Sequence, residues 1–491
     1  MRRTAQPYPN VSTPVTFLWL DYETTGSDVR RDRPAQFAAV RTDAELREVG
    51  EPMVWFCQPA LDCVPDAQAC LITGITPQHC LAHGLPEYQF AARIEQALSV
   101  PGTIGVGYNS IRFDDEITRF MFWRNLIDPY SREWRNECSR WDLLDVVRMA
   151  YALRPDVLTW PRNAEGKPSF KLTDLTAANG VAHESAHDAL SDVRATLALA
   201  RLVRTARPKL FDFCLALRKK ERVAAELGLP CTPADAKPFI HVSGMFAPER
   251  GCLAMMWPLA MHPTNKNELI AWDLAHDPTE LATMNVDEFR LRLFTKQSDL
   301  PDGVTRLPIK TVHLNKSPMV VGNYRTLTPE TAQRWGLDMD AMLRHAALAR
   351  DLPDFSGIWP EVFARPAAVD VDVDEDLYGG FVDTADRRKL DALRARTPPT
   401  PSQRTGAFED ARLDELVFRY RARNFPDTLS GDELARWERH RAARLLDGGA
   451  GVRTVEAVLA QIDALSENAD ERGEMLLGEL ADWLTTIAPN R

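Results

Sequence analysis

The chain has 491 residues, more than one hydrophobic core can serve, and roughly 150 residues per domain suggests about three domains. Its composition, 45% hydrophobic and 26% charged, is that of a globular protein, and no apolar run approaches the roughly 18 residues a membrane span needs. Seventy acidic against fifty-nine basic residues leave a net charge of −11, which argues against a nucleic-acid coat protein but not against an enzyme with one basic groove.

Residues 1–14 are polar and Pro-containing, a loose arm. Met1-Arg2-Arg3 leads into Pro rather than an apolar h-region, so no secretory signal is expected and the protein reads as cytoplasmic. Val15-Thr16-Phe17-Leu18-Trp19-Leu20 is a near-continuous apolar run, the pattern of a central buried strand. Strands are predicted at Gln36–Arg41, Pro52–Cys57 and Thr103–Tyr108, and helices at Tyr88–Ala97, Asp115–Arg124, Trp141–Ala152, Leu172–Asn179 and Asp188–Ala206. This is a mixed α/β domain ending near residue 205. The stretch 201–222 is locally basic, which suits either a solvated helix face or part of a nucleic-acid track.

From about 236 to 360 short β-like segments alternate with Pro and Gly, among them Phe239–Val242, Leu269–Trp272 and Ile309–Leu314, so a smaller β-rich domain is expected. The acidic alternation Asp370-Val371-Asp372-Val373-Asp374-Glu375-Asp376 precedes a helical third domain, where apolar residues such as Leu413, Leu416, Val417 and Tyr420 recur at helical spacing. The eight cysteines form no Cys-x-x-Cys pair and match no zinc template, and are read as reduced thiols.

Three short motifs stand out. Asp21 and Glu23 lie two apart at the end of the first strand, so both carboxylates share one face and repel unless a cation neutralises them. The alternative is an exposed strand end followed by the turn Thr24-Thr25-Gly26. Asp114 follows Asn109-Ser110-Ile111-Arg112-Phe113, where it is either a ligand or an ordinary first-turn acid of a helix. His187 and Asp192 are five apart, roughly 140° on one helix, so Asp188 is expected to cap the helix with His187 in the entering loop and Asp192 on its inward face. Together they supply four carboxylates and an imidazole, which suits hard divalent cations and a general base acting on a phosphodiester.

Asp-x-Glu, Asn-x3-Phe-Asp and His-x4-Asp in this order resemble the three motifs of the DEDD exonuclease superfamily, in its His-containing branch. Further segments resemble the bacterial exodeoxyribonuclease I family: Asp32–Ala38, Leu71–Thr76, Ser139–Val146, His241–Phe246 and Phe418–Pro426. The resemblance implies an α/β fold built from an RNase H-like exonuclease domain (15–205), an SH3-like β domain (206–361) and an all-helical C-terminal domain (362–491). It also implies processive 3′→5′ release of mononucleotides from single-stranded DNA in repair and recombination. Two Mg²⁺ ions, with Mn²⁺ as a substitute, are expected, with Asp21 bridging, Glu23 and Asp192 on the nucleophile side and Asp114 on the second ion. His187 takes the proton of the attacking water.

Between 112 and 148 seven arginines interleave with aromatic residues, either a helix pair or a strand-binding surface. With the family as guide, Arg119, Tyr130, Trp134 and Arg148 are the expected DNA contacts, Glu23 and Lys171 also touch substrate, and Lys310 and Lys316 are expected backbone contacts. Arg154 and Phe213 are the expected dock for the acidic C-terminal tail of single-stranded-DNA-binding protein, and the protein is expected to act as a monomer. An RNA-trimming or proofreading exonuclease would need little beyond the first domain, and an inactive strand-binding scaffold would not need the acidic set.

Overall fold

The computed structural model describes residues 14–183, 188–232, 235–364, 371–396 and 408–489. Most of the N-terminal arm, His187, Asp370 and the Pro-rich segment around 398–403 lie outside the described residues. Two compact units are present, each taken over its described residues: Met1–Ser139 with Ser185–Arg194 and Asp370–Arg491, and Arg140–Glu184 with Ala195–Val369.

One sheet has five strands, β1 (Thr16–Thr24), β2 (Pro34–Thr42), β3 (Met53–Phe56), β4 (Thr103–Gly107) and β5 (Ser139–Asp142), in the order β3-β2-β1-β4-β5. The apolar run places β1 in the middle, antiparallel to β2 and parallel to β4, with Phe17, Leu18, Trp19 and Leu20 buried. The helix Glu87–Leu98 repeats apolar residues at Phe90, Ala91, Ile94 and Leu98 and packs that face on Leu18, Leu20 and Phe37.

The sequence places Trp141 in a helix, whereas Ser139–Asp142 is a strand and the helix runs Leu143–Leu153. The Asp142 carboxylate accepts the Leu144 N–H at 3.0 Å and so sets the helix start two residues later than expected. Two short helices were not expected, Ala67–Thr73, capped by Asp66, and Pro77–His83, capped by Thr76 with Pro at its first position. Val64, Ala67 and Cys70 of this region share a core with Leu476, Leu480, Trp483 and Leu484 of the last helix, Glu471–Ile487.

Over its described part the acidic alternation is tied down by arginines. Asp372 and Asp374 receive the Arg419 guanidinium at 2.7 and 3.0 Å, and Arg423 reaches Asp62 at 2.7 Å and Asp374 at 3.0 Å. Asp62, Asp374 and Arg423 are all buried, and the arginines hold both carboxyls well below their ordinary range despite that burial.

The second unit contains a five-stranded antiparallel sheet in the order β10-β6-β7-β8-β9: β6 (Phe239–Val242), β7 (Leu253–Met261), β8 (Glu268–Asp273), β9 (Ile309–His313) and β10 (Met319–Val321). Trp257 faces Trp272 across β7 and β8, and both are buried. The same unit carries the helices Leu143–Leu153, Leu172–Ala178, Pro208–Ala216 and Lys220–Glu226. All eight cysteines are free thiols. Among the described residues, no helix is long and apolar enough to cross a membrane.

Removing one partner of a buried pair strands the other, so Arg423→Met is expected to cost about 3–5 kcal/mol in denaturant unfolding. The half-exposed Arg436→Met, which breaks the pair with Glu415, should cost less than about 1 kcal/mol. Equal losses would mean that the buried network contributes no more than a surface ion pair.

Candidate active site

Beyond Leu20 the strand β1 continues to Thr24, so Asp21 and Glu23 inherit strand alternation and fall on one face. Tyr22, between them, turns to the core, with its ring 4.9 Å from that of Phe37. The pairing of β4 with β1 ends at Trp19↔Val106, which leaves the Tyr22 N–H beyond the ladder on that side. Asp114 fills this place: its Oδ1 accepts the Tyr22 N–H at 3.1 Å, and the residue is 3% exposed.

The turn that delivers Asp114 depends on small and permissive residues. A Cβ on Gly107 would lie 2.7 Å from the Ser110 Cβ and 2.9 Å from the Leu20 carbonyl oxygen, so only glycine fits. Asn109 adopts the left-handed region at φ 64°, which Asn tolerates better than most residues. The helix then starts at Asp114 and runs to Arg124. Asp115, next in line, is buried against Arg132 at 2.6 Å, and Glu116 pairs with Arg119 at 2.8 Å.

Asp192 comes from the first turn of the helix Ala189–Ala206. Asp188 caps that helix, with its carboxylate accepting the Ser191 N–H at 3.0 Å, as the spacing of the motif requires. Asp192 is half-buried, beside the buried Val193 and Thr196. Carboxylate oxygens of Asp21, Glu23 and Asp192 all lie within 4.8 Å of one another.

Burial first, and then the charges of Asp114, Glu23, Asp192 and Asp188, raise the Asp21 carboxyl well above its ordinary range. Glu23 is pushed up to about 8 by burial, followed by Asp192, Asp114 and Asp188. Asp188, read from the sequence only as a cap, thus adds charge to the cluster. The donors are all hard carboxylate oxygens, and the charges acting on Asp21 and Glu23 are acidic, so the set fits a hard divalent cation.

The other expected contacts are spread over both units. Arg119 is 5% exposed and already neutralised: its guanidinium meets Glu133 at 2.8 Å through Nε and Nη2, Glu116 at 2.8 Å and the Tyr378 hydroxyl at 3.1 Å. It also lies over the half-buried Tyr130 ring at 5.2 Å. Trp134 is 63% exposed, with Arg135 over its ring.

In the second unit Arg148 pairs with Asp145 at 2.7 Å and Lys171 is exposed just before the helix Leu172–Ala178. Lys310 is half-buried on β9, and Lys316 half-buried in the turn after it. Arg154 and Phe213 line one groove of about 560 Å³ together with Leu153, Arg207, Lys209 and Leu210. The sequence reading passed over Tyr378 and Phe381. Their signal is two aromatic residues flanking Gly379-Gly380, directly after the acidic run.

Three family models cover most of the chain: Exonuclease at residues 18–200, the Exonuclease I SH3-like domain at 218–365 and the Exonuclease I C-terminal domain at 371–487. The chain is 46% identical to exodeoxyribonuclease I of Escherichia coli K12 over 428 residues, 87% of this chain and 89% of that one. It superimposes on exonuclease I of Methylocaldum szegediense with a TM-score of 0.91 at 46% identity, over 96% of this chain and 99% of that one. For E. coli exonuclease I in complex with a dA16 oligonucleotide the TM-score is 0.88 at 42% identity, over 96% and 100% of the two chains. An RNase H-like exonuclease domain with its mixed sheet, an SH3-like sheet and a helical C-terminal region make up the fold, and the chain belongs to the exonuclease I family of nucleases.

Proposed function

We propose that the protein degrades single-stranded DNA from its 3′ end, releasing 5′-mononucleotides, at the site formed by Asp21, Glu23, Asp114 and Asp192. The observation that carries this reading is the convergence of three carboxylates from β1 and the helix Ala189–Ala206, with a fourth pinned to the Tyr22 N–H and acidic neighbours raising Asp21 and Glu23. Support comes also from E. coli exonuclease I, which has been captured with a dA16 oligonucleotide and, with single-stranded DNA, in a zinc-bound form. The domains proposed are 15–205, 206–361 and 362–491, acting as a monomer in the cytoplasm, a setting with which eight free thiols agree.

Asp21, Glu23, Asp114 and Asp192 would hold two Mg²⁺ ions, or Mn²⁺ in their place, which would supply positive charge to the scissile phosphate and to the attacking and leaving oxygens. Asp21 would serve both ions, Glu23 and Asp192 the one on the nucleophile side, and Asp114 the other. His187, assigned from its place in the motif, takes the proton from the attacking water. It must be neutral to do so, so activity rises with pH through the ordinary imidazole range near about 6.5. Arg119 supports Tyr130 from beneath, and Tyr130 and Trp134 offer rings to bases. Arg148, Lys171, Lys310 and Lys316 are assigned to the strand's backbone. The groove lined by Arg154 and Phe213, with Arg207 and Lys209 at hand, has the apolar floor and positive charge that an acidic tail needs. A solved structure similar to this chain is that of SSB/exonuclease I in complex with the inhibitor CFAM.

With Mg²⁺ present, 5′-labelled single-stranded DNA should shorten progressively from its 3′ end while duplex DNA and single-stranded RNA of the same sequence persist; preferential loss of RNA would sink the assignment. Residues behind a metal's ligands typically cost 10–100-fold when removed, so Asp21→Asn, which strikes a ligand, should lower turnover by more than about 100-fold. Strand binding should stay within about threefold.

The raised Glu23 sets a second test. Between its ordinary 4.5 and about 8 the folded chain keeps a proton that the unfolded chain has lost, so cation-free protein loses stability as pH rises through that window. Melting temperature in EDTA should therefore fall from pH 5 to pH 9, and Mg²⁺ should raise it more at pH 9 than at pH 5. A Mg²⁺ effect independent of pH would contradict the assignment. Arg154→Ala or Phe213→Ala should weaken binding of a peptide carrying the acidic tail by about tenfold in a titration, with digestion of free DNA unchanged.

A further inference from the structure

Ten histidines are spread over the chain, and among the described residues one pair of them has its rings in contact. His79 and His83 stand four apart on the helix Pro77–His83, with ring centroids 4.7 Å apart and inclined by 49°. Residues at that separation are neighbours on one helix face. Pro77 and Cys80 take the buried face of this helix, and the pair lies outside it, with both histidines exposed.

The helix is short, yet its frame is fixed at both ends. The Thr76 hydroxyl accepts the His79 N–H at 3.3 Å, and Pro77 sets the first turn. At the other end the Gly84 N–H returns to the Cys80 carbonyl oxygen at 2.8 Å, and the Leu85 N–H donates to the Phe56 carbonyl oxygen on β3 at 2.9 Å. A Cβ on Gly84 would lie 2.3 Å from the Cys80 carbonyl oxygen, so only glycine fits there. The Phe56 ring meets the His79 imidazole edge-on at 4.6 Å. From the last helix, Glu471–Ile487, the Glu479 carbonyl oxygen accepts the Gln78 side-chain amide at 2.6 Å.

Neither imidazole hydrogen-bonds a described residue, so their ring nitrogens are open to another partner. The carboxylate whose charge acts on His79 is that of the half-buried Glu479, and no described lysine or arginine pairs with it. Two histidines at i and i+4 on one helix face can both reach a single Zn²⁺. Imidazole nitrogen suits borderline ions such as Zn²⁺, Ni²⁺ and Cu²⁺, whereas Mg²⁺ prefers oxygen.

We propose that His79 and His83 form a chelating site for a borderline divalent transition-metal ion, separate from the acidic cluster. Each neutral imidazole gives one ring-nitrogen lone pair, so no bond is broken and no proton is released, and water fills the remaining positions. Glu479 adds negative charge beside the pair. The site makes no use of Asp21, Glu23 or Asp192, so it stands or falls apart from the function proposed above.

The test is equilibrium dialysis with Ni²⁺ as the probe and Mg²⁺ in excess to fill the acidic cluster. The unaltered protein should take up one Ni²⁺ that His79→Gln or His83→Gln holds about a hundredfold more weakly, because the second ligand on one scaffold acts at high effective concentration. His83→Gln combined with Ala82→His puts an imidazole three residues from His79, beside it on the helix, and should recover that uptake. His83→Gln combined with Leu81→His puts it two residues away on another face and should not. Residues 79, 81, 82 and 83 are all exposed, so every variant should unfold in denaturant and EDTA at the parent's midpoint. Equal uptake by the parent and both single variants, or equal recovery by Ala82→His and Leu81→His, overturns the site.

Discussion

The structure is organised around a repulsion. Carboxylate oxygens of Asp21, Glu23 and Asp192 lie within 4.8 Å of one another, with Asp114 and Asp188 adding to the same field. Two unit charges 4 Å apart repel by about 4 kcal/mol at an effective dielectric constant of 20. Several such pairs would consume most of the 5–15 kcal/mol by which a protein is ordinarily stable. The cluster therefore stands either partly protonated, as the raised Asp21 and Glu23 indicate, or loaded with cations. What holds it is the depth of its anchors: β1 is buried in mid-sheet, Asp114 is fixed by the Tyr22 N–H, and the helix carrying Asp192 is capped by Asp188.

The same unit shows how the chain treats buried charge that has no such task. Asp62 and Asp374 are as buried as any residue of the site, yet Arg423 and Arg419 meet them directly and hold their carboxyls down. Glu87 also faces Arg33 and Arg124, although burial still leaves its carboxyl raised. Burial is common to both sets, so burial alone does not mark the site. The company does: arginines meet Asp62 and Asp374 and hold them down, whereas the acids around Asp21 and Glu23 push those carboxyls further up. The compensated network fixes the segment 371–376 and the helix Arg412–Asn424 to the residues around Asp62, and so to the sheet that bears the cluster.

Much of this was legible in the sequence, because the decisive signals are local. A near-continuous apolar run leading into Asp-x-Glu determines strand, burial and face together, and the five-residue spacing of His187 and Asp192 required a cap at Asp188. What escaped depends on partners that no local pattern names. Trp141 suits a helix by its neighbours and lies in a strand because pairing within the sheet and the Asp142 cap decide otherwise. Asp372 and Asp374 carry no local sign of the partner that holds them, Arg419, 45 residues from Asp374. Thr76-Pro77 was a readable helix start, but a seven-residue helix carries too few turns to show a period.

Arginine interleaved with aromatic residues has two meanings, and the fold separates them. Arg119, Arg124 and Arg132 are buried and each meets a carboxylate, so they contribute structure and no net charge to the surface. The rings they support, Tyr130 above all, are what that surface gains. A protein of net charge −11 cannot hold a polyanion by its overall field. Under the proposed function its grip would come from a limited basic track together with stacking, which charge screening does not weaken. Stacking also has no preferred sequence, so a strand held in this way can be advanced by one nucleotide and held again by the same rings. In the proposed function the acidic cluster is where electrostatics would act on the bond to be cut.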